Sequence, residues 1–302
     1  MAKFEGIITA ILTPFKKDEL FGIDVINQLR YLKSNGISNI FSCGSYGSFP
    51  VMTTPERKQA AEIVVKNAKQ FGMKTIIQIG SPSTKTAIEL AKHAESIGAD
   101  AIASVIPFYY SSTFYNDDTV MKYYDKLINS VSTDVHCYNN SKTTGFSVGP
   151  DLLKSLMGIG LKGIKDDSKD MGSILKMLDV VGEKEFDYYP SSTSNLITGF
   201  LLGAKSCISG VSLTIPTTIF GIYNLIKNEN VAPAINLWKW VMGVRTILGL
   251  YGSRAIAAYS VLKYKGIINS TCRSPWISLT EEQEKNIIIK LNNLGAFDER
   301  IY

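Results

Sequence analysis

A lysine and a tyrosine stand at the ends of two apolar, strand-like segments. The segment 161-LKGIK-165 ends on Lys165, and the segment 134-DVHCY-138 ends on Tyr138. If the first is a strand, alternation of side chains places Lys165 on the same face as Gly163. A lysine held there would lose part of its solvation, which favours the uncharged amine that attacks carbonyl groups. A phenol beside it could carry the protons that such an addition requires.

Simpler interpretations of both residues stay open at this point. A lysine at the end of a strand commonly reaches solvent, and Tyr138 is one of 15 tyrosines that could serve only in packing. Asp166 and Asp167 follow Lys165 and would stabilise its charged form, although alternation directs Asp166 to the opposite face. Lys165 and its neighbours alone therefore do not show whether the Lys165 amine is buried or solvated.

Composition argues against several classes of enzyme and partner. The chain has 2 histidines, His93 and His136, which leaves little material for a zinc or iron site or for a Ser-His-Asp triad. His136 lies within a strand and is predicted to be a hydrogen-bonded core residue. The 4 cysteines lie far apart and are expected to be reduced and buried. We therefore expect neither a metal nor another cofactor.

The same composition predicts a protein of the cytoplasm that acts on small molecules. The net charge of +5 is scattered, without the basic runs that nucleic acid recognition favours. The apolar run at 7–12 is too short for a secretory signal. The stretch 196–226 contains Lys205 and Pro216, which argues against a membrane span. We expect no nucleic acid partner and no membrane partner.

Eight short apolar runs alternate with helical patterns, which is typical of a parallel sheet and matches the count of a (β/α)8, or TIM, barrel. An open doubly wound sheet is the alternative, but it would ordinarily show a glycine-rich phosphate turn after its first strand. We predict an α/β barrel over residues 1–215 and a C-terminal helical appendage over residues 216–302. The strands are predicted at 7–12, 39–43, 75–79, 101–106, 134–138, 161–165, 186–189 and 206–210.

Helix signals support this organisation. The segment 55–72 has Pro55 in its first turn and Gly72 at its end, and 84–98 alternates a packed face with a solvated one. The last helix opens with Thr280-Glu281-Glu282-Gln283, a capping box. In the appendage we predict helices at 217–228, 231–264 and 280–294.

Two loops that follow predicted strands have compositions suited to ligand binding. In the loop 44-GSYGSFP-50, glycines and serines would let consecutive backbone N–H groups point at one anion. The aromatic residues of 107-PFYYSS-112 could line a pocket or an interface. Barrel enzymes place their chemistry at the C-terminal ends of the strands, where both loops and Lys165 are predicted to lie. Ordinary turns are the simpler interpretation of both loops.

Taken together, these features resemble the class I aldolases that include N-acetylneuraminate lyases, dihydrodipicolinate synthases and archaeal 2-keto-3-deoxygluconate aldolases. The resemblance extends over nearly the whole chain. It rests on the opening GIITAILTPF, the G-x-x-G loop after strand two, the Y-N pair after strand five and G-I-K-D at strand six.

The resemblance implies roles for particular residues. Lys165 looks like the Schiff-base lysine and Tyr138 like the catalytic tyrosine. Ser45 and Tyr46 occupy positions that hold the carboxylate of a 2-oxo acid, and Ser45 is also placed in the catalytic set. Tyr109 matches a catalytic tyrosine that reaches the site of a neighbouring subunit, which implies a homotetramer. Further substrate contacts are assigned to Gly44, Thr143, Ser191 and Ile208.

Departures from the family pattern narrow the predicted substrate. Thr143 replaces the arginine with which dihydrodipicolinate synthases bind a second carboxylate, and Thr193 and Ser194 replace an acidic pair of sialic acid lyases. The loop 44–50 looks most like that of aldolases of the non-phosphorylated Entner-Doudoroff route. We predict reversible cleavage of 2-keto-3-deoxygluconate, or of its galactonate epimer, to pyruvate and glyceraldehyde.

Two other hypotheses remain. A dihydrodipicolinate synthase-like or other pyruvate-dependent lyase would keep the Schiff base and change the aldehyde. A regulatory barrel that only binds a 2-oxo acid would need neither Lys165 nor Tyr138.

The loop 107–118 contains no lysine or arginine, and Ser112 stands near the position of an arginine in relatives that accept phosphorylated sugars. We therefore predict a preference for the sugar without phosphate.

Overall fold

A computed structural model describes residues 3–110, 114–168 and 170–298. Eight strands alternate with helices along the chain, and the fold is the predicted (β/α)8 barrel with helices at its C-terminal end. The strands of the barrel are β1 (Gly6–Ala10), β2 (Asn39–Ser42), β3 (Lys74–Gln78), β4 (Ala101–Val105), β5 (Val135–Asn139), β6 (Gly163–Asp166), β7 (Asp187–Pro190) and β8 (Ser206–Ser209). A separate antiparallel hairpin pairs Phe15–Lys16 with Glu19–Leu20.

Helices lie between the strands of the barrel and follow the last of them. They are α1 (Gly22–Ser34), α2 (Thr54–Gln70), α3 (Thr84–Ser96), α4 (Asp117–Ile128), α5 (Ser141–Thr144), α6 (Pro150–Gly158), α7 (Met171–Val181), α8 (Leu196–Leu201), α9 (Pro216–Lys227), α10 (Val231–Leu248), α11 (Arg254–Tyr264) and α12 (Glu281–Asn293).

The chain divides into two compact units. One contains Met1–Glu5 and Lys74–Ile208, and the other contains Gly6–Met73 and Ser209–Tyr302. The predicted division into a barrel over 1–215 and a helical region over 216–302 is a different partition and stays a prediction.

In the unit that contains Lys74–Ile208, strands β3 to β7 pair in parallel with their sequence neighbours. The register sets Tyr138 opposite Lys165 and His136 opposite Gly163. The imidazole of His136 occupies the space beside Gly163, because a Cβ atom on that glycine would lie 2.8 Å from the ring. A glycine at this point of β6 therefore admits a large side chain from β5.

His136 is the core residue that the sequence predicts. Its side chain is 0% exposed, and burial lowers the pKa of the imidazole to about 3. The hydroxyl of Tyr189 lies 3.4 Å from its Nδ1 atom, and the ring of Phe4 packs edge-on against it. The neutral imidazole therefore serves packing.

In the unit that contains Gly6–Met73, β1 pairs with β2 in parallel. Helix α2 has proline in its first turn, as its sequence predicts, and it begins with a capping box between Thr53 and Glu56. The predicted capping box of α12, between Thr280 and Gln283, is also present. Both boxes satisfy backbone N–H groups that an uncapped helix would leave without partners.

The prediction of one helix over 231–264 is wrong. Helix α10 ends at Leu248, and α11 begins at Arg254 with Ser253 as its N-cap. Between them Gly252 has a φ of 95°, a left-handed conformation that glycine adopts without strain. The apolar periodicity continues across the break, whereas the backbone conformation does not.

The four cysteines are reduced and buried, as predicted. Burial raises the pKa of the Cys137 thiol to about 12. Within residues 3–110, 114–168 and 170–298, none of the helices has both the length and the apolar character that crossing a bilayer requires.

Candidate active site

Lys165 and Tyr138 lie side by side at the ends of neighbouring strands. Lys165 is 5% exposed and Tyr138 is 3% exposed, so β6 does not simply run into solvent at this lysine. The Lys165 Nζ atom lies 3.7 Å from the centroid of the Tyr138 ring. The pair has the reach and the surroundings for addition to a carbonyl.

The next residue of β6 supports this pair from the opposite face. Asp166 is 0% exposed, and its carboxylate accepts hydrogen bonds from Asn139 Nδ2 at 2.9 Å, from Ser168 Oγ at 2.8 Å and from the Tyr188 hydroxyl at 2.8 Å. Alternation does place Asp166 away from Lys165, as predicted. The carboxylate is bound within the protein at that face, and it ties together the ends of β5, β6 and β7.

The loop after β5 is fixed at both of its ends. Asn139 donates to the carbonyl oxygen of Val148 at 3.2 Å and accepts from the Val148 N–H at 3.0 Å. The carbonyl oxygen of Asn140 accepts the backbone N–H groups of Thr143 and Thr144 at 3.0 and 3.1 Å. The hydroxyl groups of the same two threonines also donate to this oxygen. The loop therefore holds Asn140 in one position.

Asn140 is a residue of the site that sequence reasoning missed. It is 6% exposed, and its side-chain Nδ2 donates a hydrogen bond of 3.0 Å to the hydroxyl oxygen of Tyr138. Asn140 is the N-cap of α5, yet its side chain makes no capping hydrogen bond. The sequence shows only that a polar residue directly follows the Y-N pair. The contact of that residue with Tyr138 becomes visible from the direction of the Asn140 side chain.

Ser191 and Ile208 come together, as their assignment to one site requires. The two residues form a parallel bridge between the end of β7 and β8. Ser191 is 7% exposed and Ile208 is 2% exposed. The Ser191 N–H donates to the carbonyl oxygen of Asp166 at 2.7 Å, which connects this bridge to the strand of Lys165. Thr143 lies on the more exposed side of the loop after β5.

The residue after Ser191 has a strained backbone. Ser192 has φ 91° and ψ 134°, a region that residues other than glycine rarely occupy. Its hydroxyl accepts from the Ser194 N–H at 3.4 Å, and the side chain of Asn195 holds the carbonyl oxygens of Ser191 and Ser168. The surrounding hydrogen bonds maintain the strained conformation.

Tyr109 lies in an exposed aromatic cluster. Its side chain is 84% exposed and those of Tyr110 and Phe114 are 53% and 65% exposed, with ring centroids 5.0 and 4.9 Å apart along the series. Tyr109 also has φ 97°. Its predicted role in the site of a neighbouring subunit stays a prediction, and Ser112 lies outside the described residues.

The loop 44–50 belongs to the unit that contains Gly6–Met73. Ser45 is exposed and Tyr46 is half-buried. Two of the loop's amides are used within the turn itself, because Ser48 N–H donates to the Ser45 carbonyl and Phe49 N–H donates to the Gly44 carbonyl. The predicted binding of a carboxylate by Gly44, Ser45 and Tyr46 therefore stays a prediction.

Tyr46 is held within its own unit. The Tyr46 ring fills the space beside Gly210, where a Cβ atom would lie 2.3 Å from it. Burial raises the pKa of the Tyr46 phenol, and the guanidinium groups of Arg254 and Arg245 offset part of that rise. Its hydroxyl also hydrogen-bonds to Arg254, so two basic side chains from the helical region lie near this loop.

Across the residues that the structure describes, no group of three or more histidine, cysteine, aspartate or glutamate side chains is arranged to hold a metal ion. The chemical groups of the candidate site are an amine, a phenol, an amide and hydroxyls.

Comparison with known proteins agrees with this fold. The model of the dihydrodipicolinate synthetase family matches residues 3–293. A probable 2-dehydro-3-deoxy-D-pentonate aldolase of Escherichia coli (strain K12) is 27% identical over 305 residues, which cover 98% of this chain and 99% of the relative. A 4-hydroxy-tetrahydrodipicolinate synthase of Methanothrix thermoacetophila is 25% identical over 297 residues, which cover 96% of this chain and 98% of the relative.

Among solved structures, a prophage protein of the dihydrodipicolinic acid synthase family from E. coli K12, in complex with pyruvate, superposes with a TM-score of 0.91. It is 24% identical, and the match covers 98% of this chain and 100% of that one. This likeness supports the barrel fold.

Proposed function

Since the chain belongs to the dihydrodipicolinate synthetase family, whose members are pyruvate-dependent lyases, we propose that it is a Schiff-base aldolase that cleaves 2-keto-3-deoxygluconate or its galactonate epimer. The products are pyruvate and glyceraldehyde. The observation that carries the proposal is the buried pair in which Lys165 Nζ lies 3.7 Å from the centre of the Tyr138 ring. An amine and a phenol at this distance can share the proton transfers of imine chemistry.

The proposed reaction begins when the uncharged Lys165 amine adds to the C2 carbonyl of the sugar acid. The C2 oxygen gains a proton, the nitrogen loses one, and a carbinolamine results. Tyr138 donates its phenolic proton to the departing hydroxyl group, so that water leaves and a positively charged iminium forms. The Tyr138 phenolate then accepts the proton of the C4 hydroxyl group.

Loss of that proton breaks the C3–C4 bond. Its electron pair moves to the iminium, which becomes a neutral enamine, and glyceraldehyde departs. Tyr138, now protonated again, can return a proton to C3 of the enamine. Addition of water to the resulting iminium releases pyruvate and the free amine of Lys165. Every proton in this scheme is carried by the substrate, water, Lys165 or Tyr138.

The substrate class follows from the neutral side chains of the site. Thr143, Thr193 and Ser194 are uncharged and stand in place of the charged residues that the resemblance would otherwise suggest. A sugar acid with several hydroxyl groups and no second carboxylate fits these partners. The proposed place of the reaction is the non-phosphorylated Entner-Doudoroff route.

A five-carbon substrate is the second candidate. The relative from Escherichia coli (strain K12) is named as a probable 2-dehydro-3-deoxy-D-pentonate aldolase, and it matches 98% of this chain. A five-carbon acid would give pyruvate and glycolaldehyde by the same steps. A dihydrodipicolinate synthase-like condensation is less well supported, because Thr143 supplies no positive charge.

A homotetramer, with Tyr109 reaching a neighbouring site, is part of the proposal.

The mechanism is tested by trapping the imine. Wild-type protein, Lys165→Arg and Lys162→Arg are treated with pyruvate and borohydride, and their peptides are examined by mass spectrometry. We expect a reduced adduct on Lys165 in the wild type and in Lys162→Arg, and none in Lys165→Arg. Lys162 is a matched control because it is an exposed lysine three residues earlier. An adduct on Lys162, or none at saturating pyruvate, would contradict the mechanism and leave a binding barrel.

The substrate is tested separately by steady-state cleavage. Values of kcat/KM are compared for 2-keto-3-deoxygluconate, its galactonate epimer, the five-carbon 2-keto-3-deoxy acid and 6-phosphorylated 2-keto-3-deoxygluconate. We expect a six-carbon acid without phosphate to be preferred. A higher value for the five-carbon acid selects the second candidate. Equal or faster cleavage of the phosphorylated sugar would instead indicate that basic side chains such as Arg245 or Arg254 serve a phosphate.

A further inference from the structure

We propose that Asn140 is a positioning residue that holds the hydroxyl oxygen of Tyr138 and stabilises the phenolate after the phenolic proton has left. The inference rests on the proposed function, because it concerns the proton carrier of that reaction. It assigns a task to a side chain whose position in the sequence shows only that it opens a loop.

The direction of the Asn140 side chain is the first observation. An asparagine at the N-cap of a helix ordinarily accepts a hydrogen bond from the N–H of the second or third helical residue. Here the backbone oxygen of Asn140 accepts the N–H of Thr143 instead. The side chain is thus free of capping, and its Nδ2 donates to the Tyr138 hydroxyl at 3.0 Å.

Lys165 and Asn140 contact Tyr138 from different directions. Lys165 Nζ lies over the face of the ring, 3.7 Å from its centroid, whereas Asn140 binds the hydroxyl oxygen at the rim. Asn140 itself is 6% exposed, and the clamp between Asn139 and Val148 closes the loop in which it lies. The phenol therefore has little rotational freedom.

The polarity of this contact has a chemical consequence. A phenol has one proton to donate, and its oxygen can also accept. Because Asn140 is the donor in this hydrogen bond, it does not take up the phenolic proton. Once the proton has been given up, the same N–H faces a phenolate, and hydrogen bonds to charged groups are stronger than those between neutral ones.

A packing role makes a different prediction from a donor role. If Asn140 only fills space, any residue of its size serves equally well. If it serves as a donor, Asn140→Asp should be the most harmful substitution, although it is the closest in shape. The carboxylate would accept a hydrogen bond from the phenol, and it would repel the phenolate once the phenolic proton has left.

The experiment uses the pyruvate half-reaction, which does not depend on the identity of the aldehyde. Exchange of the pyruvate methyl hydrogens in deuterium oxide is followed by NMR, and imine on Lys165 is trapped with borohydride. The proteins are the wild type, Asn140→Asp, Asn140→Leu and Asn140→Ala, with Ser141→Ala as a control at the adjacent exposed position. Circular dichroism verifies that each variant is folded, and the alanine variant replaces the leucine variant should the latter not fold.

We expect Ser141→Ala to match the wild type and Asn140→Leu to exchange about 10- to 100-fold more slowly, the range that corresponds to a lost hydrogen bond to a charged group. Asn140→Asp should be slower again, by about tenfold near neutral pH. Its rate relative to Asn140→Leu should rise as the pH falls from about 8 to about 5, because a protonated carboxyl group can donate to Tyr138 as the amide does.

Three outcomes would overturn the inference. Equal rates for the aspartate and leucine variants at every pH would leave Asn140 a packing residue. A wild-type rate in all Asn140 variants would remove it from the reaction. Absence of both imine and exchange in the wild type would overturn the proposed function and this inference with it, whereas an imine without the ordering of the variants overturns the inference alone.

Discussion

Removal of the Asp166 carboxylate should destabilise the protein strongly, whereas replacement by an amide should be mild. In Asp166→Ala, Asn139 Nδ2, Ser168 Oγ and the Tyr188 hydroxyl all lose the acceptor that they bind at 2.9, 2.8 and 2.8 Å. Asn139 is 2% exposed and Tyr188 is 4% exposed, so water does not readily replace the carboxylate there. Ser168 is half-exposed and can turn to solvent.

The size of the effect follows from the two buried donors. Each costs about 1–3 kcal/mol when it is left without a partner, so Asp166→Ala should lose roughly 2–6 kcal/mol. In Asp166→Asn the amide oxygen can still accept from Asn139, and the amide nitrogen can donate to the Tyr188 oxygen, because a hydroxyl group also accepts. We expect a loss of about 1–2 kcal/mol from the missing charge alone.

The assay is thermal and urea unfolding followed by circular dichroism, with Asp179→Asn as the control. Asp179 is an exposed carboxylate in α7 of the same unit, and its substitution should change stability by less than about 0.5 kcal/mol. At about 2 °C per kcal/mol for a chain of this size, Asp166→Ala should lower Tm by roughly 4–12 °C. A shift no larger than that of the control would refute the view that this network holds the strand ends together.

Three further predictions concern activity, strain and pH. Tyr138→Phe should fold and still bind pyruvate but turn over about 10²–10⁴-fold more slowly; unaltered turnover would return Tyr138 to packing. Ser192→Gly should raise the free energy of unfolding in urea by roughly 1–3 kcal/mol, because glycine adopts φ 91° without strain. A lower free energy of unfolding would show that the hydrogen bonds of the Ser192 hydroxyl outweigh the backbone strain. The hydrogen bond from Arg273 lowers the pKa of Glu56 to about 2. Their ion pair should therefore stabilise the fold fully above about pH 4.5 and contribute less as the pH falls toward 2. Arg273→Gln should remove this part of the pH dependence of Tm, and an unchanged pH profile of Tm in the variant would contradict the prediction.

The parts of the molecule that could be predicted from the sequence are those that depend on local patterns. Each of the eight barrel strands is a short apolar run, and positions 163 and 165 share a face because a strand repeats every two residues. Capping boxes such as that of Thr280 and Gln283 are equally local. In contrast, the break between α10 and α11 depends on the backbone at Gly252, which an apolar periodicity does not reveal.

The parts that could not be predicted depend on contacts between distant segments. Whether Asp166 is solvated or buried depends on Asn139 and Tyr188, which come from two other strands. Asn140 reads as an ordinary N-cap until the direction of its side chain toward Tyr138 is known. In both cases the residue type permits several roles, and the tertiary contact selects one.

The register of β5, β6 and β7 relates the pair of Lys165 and Tyr138 to the buried hydrogen-bond network behind it. Tyr138 pairs with Lys165, and one step later Asn139 pairs with Asp166. A slip of one residue would turn Lys165 to the outer face and bring Asp166 to the inner one, since a strand reverses its faces at every residue. The hydrogen bond between Asn139 and Asp166 forms only in the observed register. The carboxylate that follows Lys165 therefore penalises a displacement of β6 that would separate the amine from the phenol.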